Sequence, residues 1–157
     1  MVTTLALPDT KLELMICAQP EEPLEWRAKL AGRYTDWCDV GSADQLVAIV
    51  QKITHEDDWF TVQTKKLEQL PTGRYAQAAN TGKGYLLEVA QVDGDITHNW
   101  RIGLGSAADD AGNTPHKGPK DTQVLSLAAV MEVLVSWLHG RGLPLGYGAA
   151  LRIYRGT

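Results

Sequence analysis

The sequence predicts an α+β fold, in which one domain contains an antiparallel meander sheet packed by two main helices. The first observation is a series of short β-type segments between residues 59 and 104, separated by glycine-bearing breaks. The second is a pair of segments with helical apolar patterns, one before and one after that series. The third is the length of 157 residues, which suits a single domain with one substantial core. We therefore treat residues 1–157 as one domain without internal repeats.

The N-terminal quarter contains one predicted strand and one segment that fits two structures. Residues 11–18 alternate between polar and apolar side chains and then become apolar, which is typical of a strand with one buried end. Two prolines interrupt the chain after it. In residues 24–40 several aromatic and apolar side chains fall at helical spacing, but Gly32 interrupts them. This segment is either a helix or a strand followed by a loop.

The first predicted helix covers residues 43–55. Ser42 is a favourable N-cap, and Asp44 puts negative charge at the positive end of the helix dipole. An apolar stripe at i, i+3, i+4 and i+7 spacing marks the face expected to pack on the sheet. The stripe consists of Leu46, Val47, Ile49, Val50 and Ile53.

Four predicted strands form the meander. They cover residues 59–66, 74–80, 85–92 and 98–104. The first is aromatic and β-branched at its start, and residues 67–73, with a proline and a glycine, connect it to the second. The Asp93-Gly94-Asp95 turn is among the stronger short-range hairpin signals. Successive hairpins of this kind produce an antiparallel meander.

The second predicted helix covers residues 124–139 and follows a long polar loop at residues 105–123. Loops of that length in a compact domain are usually functional or disordered. The helix is apolar apart from one narrow stripe, so we expect it to be buried on most sides. Gly140 ends it, and residues 147–155 provide a last strand.

The composition favours a cytoplasmic protein. Hydrophobic residues make up 44% of the chain and charged residues 22%, and the formal net charge is −4, which disfavours a nonspecific nucleic-acid binder. No segment approaches the roughly 20 uninterrupted apolar residues of a membrane span. The N-terminus lacks the basic residues of a signal peptide. In that compartment Cys17 and Cys38 are expected to be free thiols, with a disulfide as the alternative.

Motifs for phosphate binding, metal binding and nucleophilic catalysis are not found. Lys117 precedes Gly118 instead of following a glycine-rich loop, so the segment does not fit a P-loop. The four histidines lack the spacing of zinc ligands, and no Gly-x-Ser-x-Gly elbow occurs. Cys17 lies in an apolar run, which disfavours a reactive thiolate. We therefore predict neither a cofactor nor a metal.

Glu88 is the most unusual single residue, because it interrupts an apolar strand. Strand alternation places it on the same face as Leu86 and Ala90. It is either one member of an acid/base pair with His98 or Gln77 on a neighbouring strand, or a partner of a lysine or arginine across the sheet. The ion-paired interpretation is favoured, because no cleft is evident.

Five short motifs follow one another in the order found in one known family. They are Trp59-Phe60-Thr61-Val62, Tyr75-Ala76-Gln77-Ala78, Gly84-Tyr85-Leu86-Leu87-Glu88, His98 and Trp137-Leu138-His139-Gly140. Together they resemble the first-numbered immunity-protein family of bacterial polymorphic toxin systems. The resemblance implies a small α+β protein without catalytic activity, which binds and neutralises a cognate toxin made by the same cell.

The candidate contact residues for such a partner are acidic. Binding function usually lies on loops and exposed faces, and acidic turns are suited to steering a basic toxin surface. The candidates are Asp57, Asp58, Asp93, Asp95, Asp109, Asp110 and Glu88. For each acidic turn the alternative is an ordinary solvated loop.

Two further functions remain open at the level of sequence. One is a small enzyme that uses Glu88 and His98 as acid and base. The other is a structural or adaptor subunit of a phage or secretion assembly. In every case we expect a soluble protein without a nucleic-acid or membrane partner. The toxin, its activity and the oligomeric state are not encoded in any motif.

Overall fold

In the part of the chain that the structure describes, nine strands form one sheet, and two helices lie against it. The computed structural model describes residues 3–6, 22–104, 124–144 and 146–156. The strands are β1 (Thr3–Ala6), β2 (Leu24–Leu30), β3 (Arg33–Tyr34), β4 (Cys38–Asp39), β5 (Trp59–Thr64), β6 (Thr72–Asn80), β7 (Tyr85–Asp93), β8 (Ile96–Leu104) and β9 (Tyr147–Arg155). The helices are α1 (Ala43–Val50) and α2 (Leu127–Leu138), and a 3-10 turn covers Leu67–Gln69. The predicted α+β class is confirmed.

The sheet contains the predicted meander and extends it on both sides. The strand order is β1-β9-β8-β7-β6-β5-β2-β3, with β4 beside β2, and all pairs are antiparallel. The four predicted meander strands correspond to β5, β6, β7 and β8, and the predicted last strand is β9. The short strands β1, β3 and β4 were not predicted. The predicted strand at residues 11–18 and the loop at residues 105–123 lie outside the described residues.

Residues 24–40 take the second of their two alternatives, a strand followed by a loop. Strand β2 pairs along its length with β5, and the chain then turns back at Ala31 and Gly32. Both turn residues have positive φ, 51° and 80°. The chain returns along the outer edge of β2 as β3 and β4. The helical spacing of the aromatic residues was therefore misleading, because pairing with β5 decides the conformation.

Both helices cover the same face of the sheet and bury its apolar half. Alternate residues of β2 and β5–β9 point to that face, including Trp26, Phe60, Val89 and Trp100. The helices contribute the other half of the core, in which Trp137 of α2 is 2% exposed. Among the described residues, the opposite face of the sheet has no helix on it, and we call it the helix-free face.

The two helices are shorter than their apolar patterns predicted. Helix α1 ends at Val50 because the chain turns toward the sheet, where the Ile53 carbonyl accepts hydrogen bonds from Asn80 Nδ2 and Tyr85 Oη at 3.0 and 3.2 Å. Helix α2 begins after Ser126, whose Oγ accepts a hydrogen bond from the Ala129 amide at 3.1 Å. Neither helix of the described residues is long and apolar enough to cross a membrane.

Asp58 joins the end of the α1 segment to the β2–β3 turn. Its carboxylate is 1% exposed and accepts hydrogen bonds from the amides of Ala31 (2.9 Å), Gly32 (3.3 Å) and His55 (3.2 Å). Burial alone raises the pKa of the Asp58 carboxyl, but the three amide donors, with help from His55, favour its ionised form and hold its pKa below the ordinary value. The ionised carboxylate thus stabilises the turn that begins β3.

The substitution Asp58→Asn is expected to destabilise the protein by roughly 1–3 kcal/mol, because the Nδ2 group of asparagine cannot accept a hydrogen bond and leaves at least one of the three backbone donors unpaired. The matched substitution is Asp57→Asn at the exposed neighbour, where asparagine tolerates the positive φ of 71°. We expect the latter to change the free energy of unfolding by less than about 0.5 kcal/mol. Urea unfolding monitored by tryptophan fluorescence measures both.

The same pair tests the pH dependence. Because the pKa of Asp58 is lowered on folding, its contribution to stability is complete above the unfolded pKa of about 4 and is lost as the pH falls through the folded pKa. Asp58→Asn should therefore lose less stability on acidification than the parent protein. If Asp58→Asn and the parent protein lost equal stability on acidification, Asp58 would not be the group responsible for the acid sensitivity.

Candidate functional site

The helix-free face of the sheet carries a continuous set of polar and aromatic side chains. Paired residues of antiparallel strands project to the same side, so the register defines rows across the sheet. One row runs through Arg27, Thr61, Gln77, Glu88 and Arg101. This face is the candidate functional site, because its side chains come from five strands and lie outside the helix-covered core.

Glu88 lies at the centre of a hydrogen-bonded network on this face. Its Oε1 accepts from Arg101 at 3.0 Å, and its Oε2 accepts from Asn99 Nδ2 at 2.6 Å. Asn99 Nδ2 also donates to the Tyr75 hydroxyl at 3.1 Å. The Glu88 and Arg101 side chains are 20% and 13% exposed. The favoured interpretation of Glu88, an ion pair across the sheet, is thus confirmed with Arg101 as the partner.

The suggested acid/base pair of Glu88 and His98 is not formed. His98 is in register with Gln91 and stacks on Trp100 with ring centroids 6.1 Å apart, on the helix-covered face. Glu88 is in register with Arg101 and projects to the opposite face. The sheet itself separates the two groups, so they cannot act on one substrate. Gln77, the other suggested neighbour, does lie beside Glu88.

A second group on the same face combines aromatic rings with cations, and we call it the aromatic–cation cluster. It consists of Arg27, Lys29, Tyr34, Trp37 and Trp59. The Arg27 guanidinium carbon lies 4.9 Å from the Trp37 ring centroid and 5.5 Å from that of Trp59. Lys29 Nζ lies 5.8 Å from the Tyr34 ring, and the Tyr34 and Trp59 rings are 6.0 Å apart. These contacts fall within the range of cation–π interactions.

A shallow depression continues from this cluster toward Glu88. It has a volume of about 250 Å³ and is lined in part by Trp59, Gln77, Leu86 and Glu88. The cluster and the depression were missed by sequence reasoning, because residues 24–40 had no settled structure. Once residues 24–30 are known to form a strand, alternation alone places Arg27 and Lys29 on one face.

The acidic candidates do not converge on this face. Asp57 is exposed, whereas Asp58 is buried on the three amides and is unavailable as a surface contact. Asp93 is half-buried and accepts a hydrogen bond from Gln91, and Asp95 is exposed. The Asp57 amide contacts the last residue of β6, and Asp93 pairs with the first. At about 3.3 Å per residue these ends lie about 26 Å apart.

Asp109 and Asp110, the remaining acidic candidates, lie outside the described residues. Glu88, the only candidate that reaches the helix-free face within the described part of the chain, has its charge balanced by Arg101. The Asp57/Asp58 pair and the Asp93/Asp95 pair therefore do not form one acidic patch with Glu88.

A larger groove lies elsewhere, between the start of α1 and strand β4. It has a volume of about 610 Å³, and its lining includes Asp39, Ser42, Lys65 and His139. Ser42 Oγ accepts a hydrogen bond from the Gln45 amide, and Lys65 Nζ contacts Asp39 at 2.8 Å. These groups serve as a helix cap and a surface ion pair. Across the described ranges, no three metal-ligating side chains are grouped in a way that would hold an ion.

Comparisons with protein-family models, with curated proteins and with solved structures return no match for this chain. The function of the chain is therefore inferred from the chemistry of the helix-free face and from the five motifs that resemble the immunity family.

The substitution Glu88→Gln is expected to lower the pKa of the Tyr75 hydroxyl. Burial is the main cause that raises the pKa of Tyr75, and the negative charge of Glu88 raises it further. Neutralising Glu88 therefore removes part of the shift. The loss of the charged hydrogen bond to Arg101 should also cost roughly 1.5–3 kcal/mol of stability. Titration of tyrosines labelled at the ring carbon, followed by NMR, measures the pKa.

Glu132→Gln is the matched control. Tyr147 has a pKa raised to about 12, by burial and then by its hydrogen bond to Glu132 at 2.9 Å. We expect this control to lower the pKa of Tyr147 and to leave that of Tyr75 unchanged. A Tyr75 titration unaffected by Glu88→Gln would show that burial alone sets its pKa.

Proposed function

We propose that this chain is a non-catalytic binding protein of the immunity type, which neutralises a protein toxin by covering part of the toxin surface. The observation that carries the proposal is the exposure of large aromatic residues on a rigid sheet face. Tyr34 is 69% exposed and Trp37 is 38% exposed. Together with Trp59 and Arg27 these rings form one contiguous group. Contiguous exposed aromatic patches mark interaction sites, and tyrosine, tryptophan and arginine are enriched in interface hot spots.

The rigidity of the platform supports a binding role. The rows of the helix-free face are held by continuous antiparallel pairing from β2 to β9. Their side chains therefore need little ordering when a partner docks, which lowers the entropic cost of association. The motif resemblance to the immunity family supports the same conclusion, since its members act by binding.

The state of Glu88 favours binding over catalysis. Both of its carboxylate oxygens accept hydrogen bonds from neighbouring side chains. His98, the acid/base partner suggested by the sequence, projects to the other face. A general base must lie within hydrogen-bonding reach of a substrate proton, and Arg101 and Asn99 already occupy one acceptor site on each oxygen of Glu88. Glu88 instead positions Arg101 and Asn99 on the platform.

The proposal is tested by capturing a partner on the tagged protein from a lysate of its own source and then expressing that partner in a test host. We expect the partner to arrest growth alone and co-expression of this chain to restore growth. In this assay Tyr34→Ala should weaken rescue. Truncation of a hot-spot side chain costs about 2 kcal/mol of binding free energy, which raises the Kd for the toxin about 30-fold. Isothermal titration with the purified pair gives the Kd.

Tyr154→Ala is the matched control for Tyr34→Ala. Tyr154 is 41% exposed on the same face, but it lies on β9, six strand positions away, or about 29 Å along the sheet. We expect it to rescue growth like the parent. Capture of a harmless partner would refute the immunity role, and recovery of this chain alone would favour the subunit of a larger assembly.

A further inference from the structure

We propose that the aromatic–cation cluster binds an acidic segment of the protein partner, with the partner's carboxylates meeting Arg27 and Lys29. This inference rests on the proposed binding function and names the chemistry of the partner's contact. It reverses the polarity expected from the sequence, in which acidic residues of this chain met a basic partner.

The two cations of the cluster have no carboxylate partner among the described residues. The ion pairs found there involve His55, Lys65, Arg74 and Arg101, and none involves Arg27 or Lys29. Positive charges on a surface are usually balanced by nearby carboxylates or left mobile in solvent. Here the rings of the cluster lie against Arg27 and Lys29. The two positive charges are thus held in place and are available to a partner.

Nearby acidic residues do not neutralise the cluster. Glu25 is the neighbour two residues before Arg27 on the same face, and its Oε1 accepts hydrogen bonds from Gln63 Nε2 at 3.2 Å and from the Lys66 amide at 2.9 Å. Asp36, in the β3–β4 connection, forms no ion pair with a described residue. Neither of these carboxylates therefore forms an ion pair with Arg27 or Lys29.

The geometry of Arg27 suits it for recognising a carboxylate. Its guanidinium lies near the rings of both Trp37 and Trp59, which fixes a side chain that is otherwise flexible. Its Nε is buried and has no acceptor among the described residues. A guanidinium held in this way presents its outer N–H groups as a fork, and a carboxylate accepts from that fork through both oxygens.

The charge of the whole chain favours a local acidic contact over a nucleic acid. The formal net charge is −4, so a long phosphate backbone would be repelled by most of the surface. A short acidic segment needs complementarity only at the cluster. The depression beside Trp59 then offers room for a side chain of the same segment.

The first experiment measures binding of a short peptide in which glutamate alternates with threonine, using the fluorescence of Trp37 and Trp59. The comparison peptide has glutamine in place of every glutamate, and oligothymidylate serves as the nucleic-acid probe. We expect saturable binding of the glutamate peptide that weakens as salt is raised, because the contacts are exposed charges. The glutamine peptide should bind at least about tenfold more weakly.

The second experiment uses the variant Lys29→Glu. We expect it to lose binding of the glutamate peptide by at least about tenfold. The matched control, Lys52→Glu, makes the same change of net charge at an exposed position away from the cluster and should bind like the parent. Thermal unfolding of both variants shows whether either has lost its fold.

Equal binding of the two peptides, stronger binding of oligothymidylate, or equal loss of binding in both variants would overturn the inference. So would the absence of binding to the glutamate peptide. The outcome is separable from the test of the proposed function. If Lys29→Glu still neutralises a captured toxin fully, the acidic contact is refuted while the immunity role stands. If the glutamate peptide binds as expected but no toxin is neutralised, the immunity role fails alone.

Discussion

Within the described residues, coverage of the sheet by helices on one side only is the constraint on which the rest of this structure depends. Strand alternation sends half of the side chains of β2 and β5–β9 to the helices and half to the other face. The first half forms the core around Phe60 and Trp100. The second half is collected by the register into rows, which bring Arg27, Glu88 and Arg101 onto one surface although they are distant in sequence.

Two charge arrangements with different consequences share that surface. At its centre, Glu88 and Arg101 neutralise one another and are largely enclosed, so their contribution is to order the platform. At the β2 edge, the cations lie against aromatic rings and retain an open side. The distribution of charge therefore matters more than its sum. A chain with a net charge of −4 still presents a positive contact region.

Much of the fold could be predicted from periodicity, and the failures have identifiable physical causes. The strands β5–β8 and the existence of both helices follow from local patterns. The end of α1 does not, because it depends on the capture of the Ile53 carbonyl by Asn80 and Tyr85, which lie on other strands. The site was predictable only in part. Alternation placed Glu88 on its face, whereas its partner required the register of β7 with β8.

The sequence by itself determined the α+β class, the order of the meander strands and the faces of their side chains, because these depend on residue periods of two and 3.6 within short segments. Only the tertiary structure decided that residues 24–30 form a strand, that Asp58 is buried on backbone amides and that the aromatic–cation cluster exists. Each of these depends on pairing between segments distant in the chain. A local pattern carries no information about which strand will lie beside it, and that neighbour sets the environment of every side chain on the sheet.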